Sequence, residues 1–191
     1  MPEITDSLRS VLLSAEEAEG LDVRGGTRAA VLVPLSFRSD GSLGVVFTRR
    51  HNDMRRHAGE ISFPGGRQDS NDESLLSTAI RETHEEIGLP DSAVEVLGAL
   101  QPTPTIVTGF AVYPFVALIS PPPAWRPNGD EVAQVLEFGI DDLRAGYGRR
   151  RLVRRGVPMR TDTYLVEGNL IWGATARMLA DLFDRLALVS P

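Results

Sequence analysis

The run Arg81-Glu82-Thr83-His84-Glu85-Glu86 packs three carboxylates into one short stretch. On a helix Glu82 and Glu86 stand one turn apart and Glu85 lies three residues from Glu82, so the three crowd one side. Like charges at that spacing repel and weaken the helix that carries them. Gly88 and Pro90 stop the helix just beyond, which puts the acids at its C-terminal end, where the helix dipole disfavours negative charge. A solvated acidic face is the plainer explanation for glutamates on a helix, but it accounts poorly for this placement. A divalent cation compensates better, because hard oxygen ligands suit magnesium or manganese. Ahead of the helix stands Pro64-Gly65-Gly66, a turn whose backbone can approach a ligand closely.

A second group has the opposite sign. Arg49, Arg50, Arg55 and Arg56 make a basic patch at the end of a strand leading towards those glycines, in a chain of formal charge −6. Every basic residue is arginine, which grips phosphate with a planar fork. Solvated arginines at a strand end are the bland alternative. His57, as a lone loop histidine, is read as structural, Glu60 as a further outer ligand and His84 as pointing to solvent. Glu131, after Asn128-Gly129-Asp130, is a late acid that a fold could return to the site. Arg149, Arg150, Arg151, Arg154 and Arg155 read as solvated hairpin residues.

The elements that must position these groups follow from periodicity. Leu76, Ile80, Thr83 and Ile87 fall at helical spacing and predict a core-facing stripe on a helix over 73–87, with Asp69, Ser70 and Asp72 as cap candidates. Strands are predicted over 29–37, 43–48, 94–100, 107–118 and 132–138, with an extended piece at 61–64. Residues 151–153 and 163–166 form a hairpin. Helices are expected over 2–19, 141–145 and 174–186. This order predicts one α+β domain, an α/β/α sandwich with a mixed sheet, preceded by a helix and linker over 1–27; the domain proper is 28–191.

Bulk composition narrows the function. At 191 residues one core is expected. Without cysteine there are no disulfides, thiolate metal sites or cysteine nucleophiles, so carboxylates or histidines must hold any metal. The acidic balance disfavours general nucleic-acid binding. No apolar run suits a bilayer and residues 1–10 lack a signal's basic start and greasy middle, so the chain is expected in the cytoplasm.

Together these residues resemble the Nudix box, a glycine and a glutamate followed by Arg-Glu-aliphatic-any-Glu-Glu-any-Gly-aliphatic. The second half reads Arg81 to Leu89, with Thr83 in the aliphatic place. Counting back puts Glu73 at the first glutamate and Arg67 at the glycine, so a loop one residue longer lets Gly66 serve, with Asp72 or Glu73 as the acid. The resemblance implies that Glu82 and Glu86 ligate Mg2+ or Mn2+, that Glu85 assists or activates water, that Arg81 orients the carboxylates, and that Glu131 acts as base or extra ligand. Upstream, Thr48, Arg50, Arg55, Gly59 and Phe63-Pro64-Gly65-Gly66 are similar to the signature of the coenzyme A branch, with His51 where that signature prefers Ser or Ala. It implies that Arg49, Arg50, Arg55, Gly65 and Gly66 meet a small-molecule substrate, coenzyme A or a derivative, in a monomer or homodimer. ADP-ribose, NADH, another dinucleotide or a nucleoside triphosphate is the alternative substrate, and a non-catalytic nucleotide sensor the alternative class.

Overall fold

The computed structural model describes residues 2–51, 59–105, 109–122, 124–154 and 157–189. In chain order the first elements are α1 (Pro2–Val11), α2 (Ala15–Glu19), β1 (Thr27–Phe37), β2 (Leu43–Arg50), β3 (Ile61–Ser62), β4 (Gly65–Arg67) and α3 (Leu75–Ile87). There follow β5 (Val94–Ala99), β6 (Thr103–Pro104), β7 (Phe110–Ile119), β8 (Val132–Gly139) and α4 (Ile140–Ala145). The chain closes with β9 (Tyr147–Arg154), β10 (Val157–Val166), β11 (Asn169–Trp172) and α5 (Gly173–Val189). The fold is α+β: a mixed eight-stranded sheet, a second antiparallel sheet of β9, β10 and β11, and helices on both faces. Among the described residues no helix is long and apolar enough to cross a membrane.

The main sheet forks, and the fork makes the site. Parallel β7 occupies one edge of β1 from Thr27 to Leu35, and β8 occupies one edge of β2 from Gly44 to Arg50. On the facing edges β1 and β2 pair only over Leu35↔Val45 to Phe37↔Leu43 and then part. Residues 61–67 enter the gap, β3 pairing with β2 at Thr48↔Ser62 and β4 with β1 at Ala30↔Gly66. Pro34 stands at the branch point, where a residue without an N–H interrupts the ladder at little cost. Leu32 N, beside it, donates to Pro64 O at 2.9 Å.

Strand alternation sorts the core into two layers. Val46, Ala30 and Leu32 pack with Leu75, Ala79 and Ile87 of α3. Val45, Phe47, Val33 and Leu35 face the other way, onto Ala176, Leu179, Leu182 and Leu186 of α5 and Tyr164 and Ile171 of the small sheet. Phe47 stacks on Phe63 at 5.0 Å between ring centroids, which anchors the inserted segment.

Several expectations are corrected. The single helix over 2–19 is two, because Leu13 exchanges backbone bonds with Ala99 (3.0 and 2.8 Å) and Ser14 opens α2 with a capping box. Leu8 and Ala18 are buried, so this segment packs into the core. The main helix starts at Leu75, capped by Ser74 and Ser77 in a reciprocal box, and none of Asp69, Ser70 or Asp72 caps it. Its buried stripe is Leu75, Ala79, Thr83 and Ile87, with Leu76 and Ile80 only partly covered, so the helix is turned about one residue from expectation. The strand expected from 107 begins at Phe110, with residues 106–108 outside the described set. The hairpin is longer and gains β11 as a third strand.

Candidate active site

α3 brings its acids to the glycine turn because its buried stripe and those acids are offset by only a small rotation. At about 100° per residue, Glu82 and Glu86 point about 40° apart, while Glu85 lies about 100° from Glu86. Glu86 accordingly falls on the packed side, 5% exposed, against the inserted glycines. Gly65 N donates to Glu86 Oε2 at 3.2 Å. A Cβ on Gly66 would stand 2.5 Å from the Glu82 carboxyl carbon, and one on Gly65 2.3 Å from Ala30 O. Gly65 also holds φ at 146°, a conformation that side chains resist. The glycine turn thus lets two carboxylates lie flat on backbone.

Burial pushes Glu86 up to about 7; the carboxylates of Glu82 and Glu131 add to the rise, and the Gly65 N–H and the Arg50 guanidinium oppose it. Glu82 is raised for the same first reason, with Glu85 and Glu131 contributing and Arg81 opposing. These groups hold charge at a cost that their protein neighbours do not cover. Asp72 is the reverse case. It receives two bonds from Arg81, at 2.8 and 2.9 Å, one from Thr78 Oγ1 at 2.9 Å and the Asp69 N–H at 2.9 Å. The Arg81 bonds above all hold it below the usual carboxylate range. Arg81 also reaches Glu82 at 3.0 Å and Glu85 at 3.2 Å.

Not every expected residue joins the pair. Glu85, 54% exposed in its side chain, lies along Arg81 and is not brought to the glycine turn. Glu131 is exposed, 3.8 Å from the Arg50 guanidinium, and its backbone carbonyl accepts from His51 N at 3.0 Å. Arg49 and Arg50, read as one patch, occupy opposite faces of β2. Arg50 faces the carboxylates, whereas Arg49 donates to Asn169 Oδ1 on the small sheet. Arg55, with Arg56 and His57, lies outside the described residues. His84 is exposed, with Nδ1 3.1 Å from Leu89 O, and Glu73 is exposed away from the pair. Asn169 went unnoticed in the sequence. The 45/47 against 46/48 alternation of β2 was the available signal that the two arginines part.

The loop after β7 closes the C-terminal end of α3, where unpaired carbonyls would otherwise sit beside the acids. Asn128 N donates to Glu86 O at 2.8 Å and Arg126 N to Ile87 O at 3.2 Å, while Gly88 (φ 72°) ends the helix. This loop also leads into Glu131.

Among the described residues no three or more His, Asp or Glu side chains stand together as a finished metal cage. The donor set nevertheless suits a hard divalent cation. Glu82 and Glu86 present adjacent carboxylate oxygens whose charge is under-compensated, on a backbone cradle that a Cβ would fill.

The profile described as the NUDIX domain matches residues 26–156. Relatives from Salmonella newport and Salmonella agona, each called "Uncharacterized Nudix hydrolase NudL", are 41% identical over 157 residues, 81% of this chain and 80% of theirs. Among solved structures, the Nudix hydrolase RenU of M. smegmatis superposes with a TM-score of 0.53 at 23% identity, over 70% of this chain and 81% of its own. The NUDIX domain of Shewanella oneidensis NrtR, solved with ADP-ribose, superposes with 0.51 at 21% identity, over 70% and 88%. Nudix enzymes in general use divalent cations. The profile, the 41% identity and the carboxylate helix against its glycine turn agree, and the chain belongs to the Nudix hydrolases, enzymes that act on phosphorus anhydrides.

Proposed function

We propose that the chain hydrolyses the diphosphate bond of coenzyme A or its derivatives with Mg2+, or Mn2+ in its place, giving 3′,5′-ADP and 4′-phosphopantetheine. One observation carries the reading. Residues 61–66 of the coenzyme A-type segment enter the fork of the sheet, so Gly65 and Gly66 lie against Glu86 and Glu82 while Arg50, on β2 beside them, acts on Glu86. A cytoplasmic location and a monomer or homodimer go with it.

Glu82 and Glu86 would hold the metal. When bound, a divalent cation neutralises the diphosphate and lowers the pKa of a bound water. The chain's own residues do the rest. Arg50 faces the bridging diphosphate with positive charge, and the Gly65 and Gly66 backbone admits it without a side-chain clash. Arg81, fixed by Asp72, sets the direction of Glu82 and keeps Glu85 within 3.2 Å. Glu131, exposed and beside Arg50, takes the proton of the attacking water, with Glu85 assisting. Water adds at phosphorus, the anhydride P–O bond breaks, and both products leave as phosphates. This chemistry is positioning plus charge stabilisation, so it needs no covalent nucleophile.

The test is a substrate survey of purified protein with Mg2+. Release of 3′,5′-ADP from coenzyme A at a higher kcat/KM than release of AMP from ADP-ribose is expected. ADP-ribose cleaved far faster than coenzyme A rejects the substrate while leaving the reaction type.

A further inference from the structure

The face of β2 opposite the carboxylates holds a feature the hydrolytic chemistry does not use. Between β3 and β11 lies a cleft of about 530 Å3. It is lined by Arg49, Glu60, Ile61, Asn169, Leu170 and Trp172. A volume of this size suits a small organic chain, where pockets run about 300–1,000 Å3. Arg49 stands at the unspecified place between Thr48 and Arg50 of the coenzyme A-type segment, which leaves open which part of the substrate it meets.

The lining selects the chemistry. Among the described lining residues the cation Arg49 is matched by the carboxylate Glu60, so these side chains offer a phosphate no net charge. The remaining groups are an amide, an indole and two branched aliphatics, which hydrogen-bond and pack against a neutral chain that is polar at intervals. Arg49 is held in place by Asn169, which in turn donates to Glu167 O at 3.2 Å. Position argues the same way. Arg49 and Arg50 are neighbours on one strand, so the cleft opens one residue from the diphosphate side, over the rim where Arg50 N meets Glu60 O at 3.0 Å. The layers on either side of a sheet lie about 10 Å from it. A phosphate on the nucleotide's own ribose does not span that thickness, whereas an extended chain does.

We propose that this cleft binds the neutral, amide-bearing arm joined to the diphosphate, the pantetheine arm of the substrate, with Arg49 and Asn169 bonding its amides and Trp172 forming one wall. The assignment rests on the coenzyme A reading above and extends it to the half of the substrate that does not react.

The experiment titrates the full-length Trp125→Phe protein, whose remaining tryptophan is Trp172, with pantetheine and separately with AMP, following emission. Pantetheine is expected to change the emission saturably and AMP to leave it unmoved. Arg49→Gln is expected to weaken pantetheine about 10-fold, the worth of one hydrogen bond to a charged group. Asn169→Ala, which frees Arg49 without removing it, should weaken it less. A response to AMP in place of pantetheine, or to neither, overturns the assignment. Pantetheine binding by protein that does not cleave coenzyme A keeps the cleft's chemistry and sinks the substrate reading, so the two failures are told apart.

Discussion

Asp72 and Glu86 are both nearly buried carboxylates against α3, and they sit in opposite electrostatic worlds. Asp72 has a bidentate guanidinium, a hydroxyl and a backbone N–H, and its charge is held well below the usual carboxylate range. Glu86 has one N–H at 3.2 Å, acidic neighbours, and a pKa pushed up to about 7. A satisfied buried charge makes a scaffold; an unsatisfied one marks where a ligand completes the structure. Arg81 joins the two, anchored on the first and steering Glu82 beside the second.

The comparison breaks first at its reactive end. Glu86→Gln should lower kcat about 1,000-fold with Mg2+ present, since it removes charge stabilisation where the reaction needs it. Retention of more than a tenth of the rate, in a steady-state assay, would remove Glu86 from the site. Gly66→Ala comes next: its methyl would stand 2.5 Å from the Glu82 carboxyl carbon. Displacing that carboxylate should lower kcat about 100-fold, while circular dichroism shows the fold intact.

At the scaffold end the effect should move from rate to stability. Asp72→Asn leaves Arg81 short of its main partner and should cost about 2 kcal/mol of unfolding free energy in urea, with activity down about 10-fold. If the rate falls as far as in Glu86→Gln with stability unchanged, the two ends are not distinct in kind.

The smallest effect sharpens the contrast by pH. An acid whose folded pKa lies above its unfolded value favours folding only while protonated. Glu86 therefore contributes fully below about 4.5, and that stability is lost as pH rises towards about 7. Asp72 runs the other way: its stabilisation is present above the ordinary aspartate range and lost as pH falls below it. Without added divalent cation, Glu86→Gln should thus be more stable than the parent at pH 8, by up to roughly 3 kcal/mol, and little different at pH 4. Thermal unfolding at both pH values checks the sign.

The carboxylate-bearing helix α3 was legible because its signals are local: Gly88 stops it at φ 72°, and the glutamate spacing needs only helical geometry. The cap was misplaced because Asp69, Ser70 and Asp72 all have the right chemistry, whereas the helix begins after Ser74, whose backbone is extended and whose side chain accepts from Ser77 N. The convergence of three glutamates was read from spacing without regard to burial. Packing Leu75 and Ala79 turns Glu86 inward and leaves Glu85 on Arg81. The fork was out of reach, since residues 65–67 show no strand pattern and pair with β1 only because β2 has turned away. Asn169 and the cleft depend on a contact between β3 and β11 more than a hundred residues apart, which no local pattern reports.

The account's central claim is that Glu82 and Glu86, resting on the Gly65-Gly66 turn, take a divalent cation. Titration of the purified protein with Mn2+ at pH 7.5, reading free Mn2+ by electron paramagnetic resonance, tests it directly. Saturable binding by the parent, weakened at least about 10-fold in Glu86→Gln and unchanged in Glu95→Gln, is the predicted result. Equal Mn2+ binding by the parent and Glu86→Gln would contradict it.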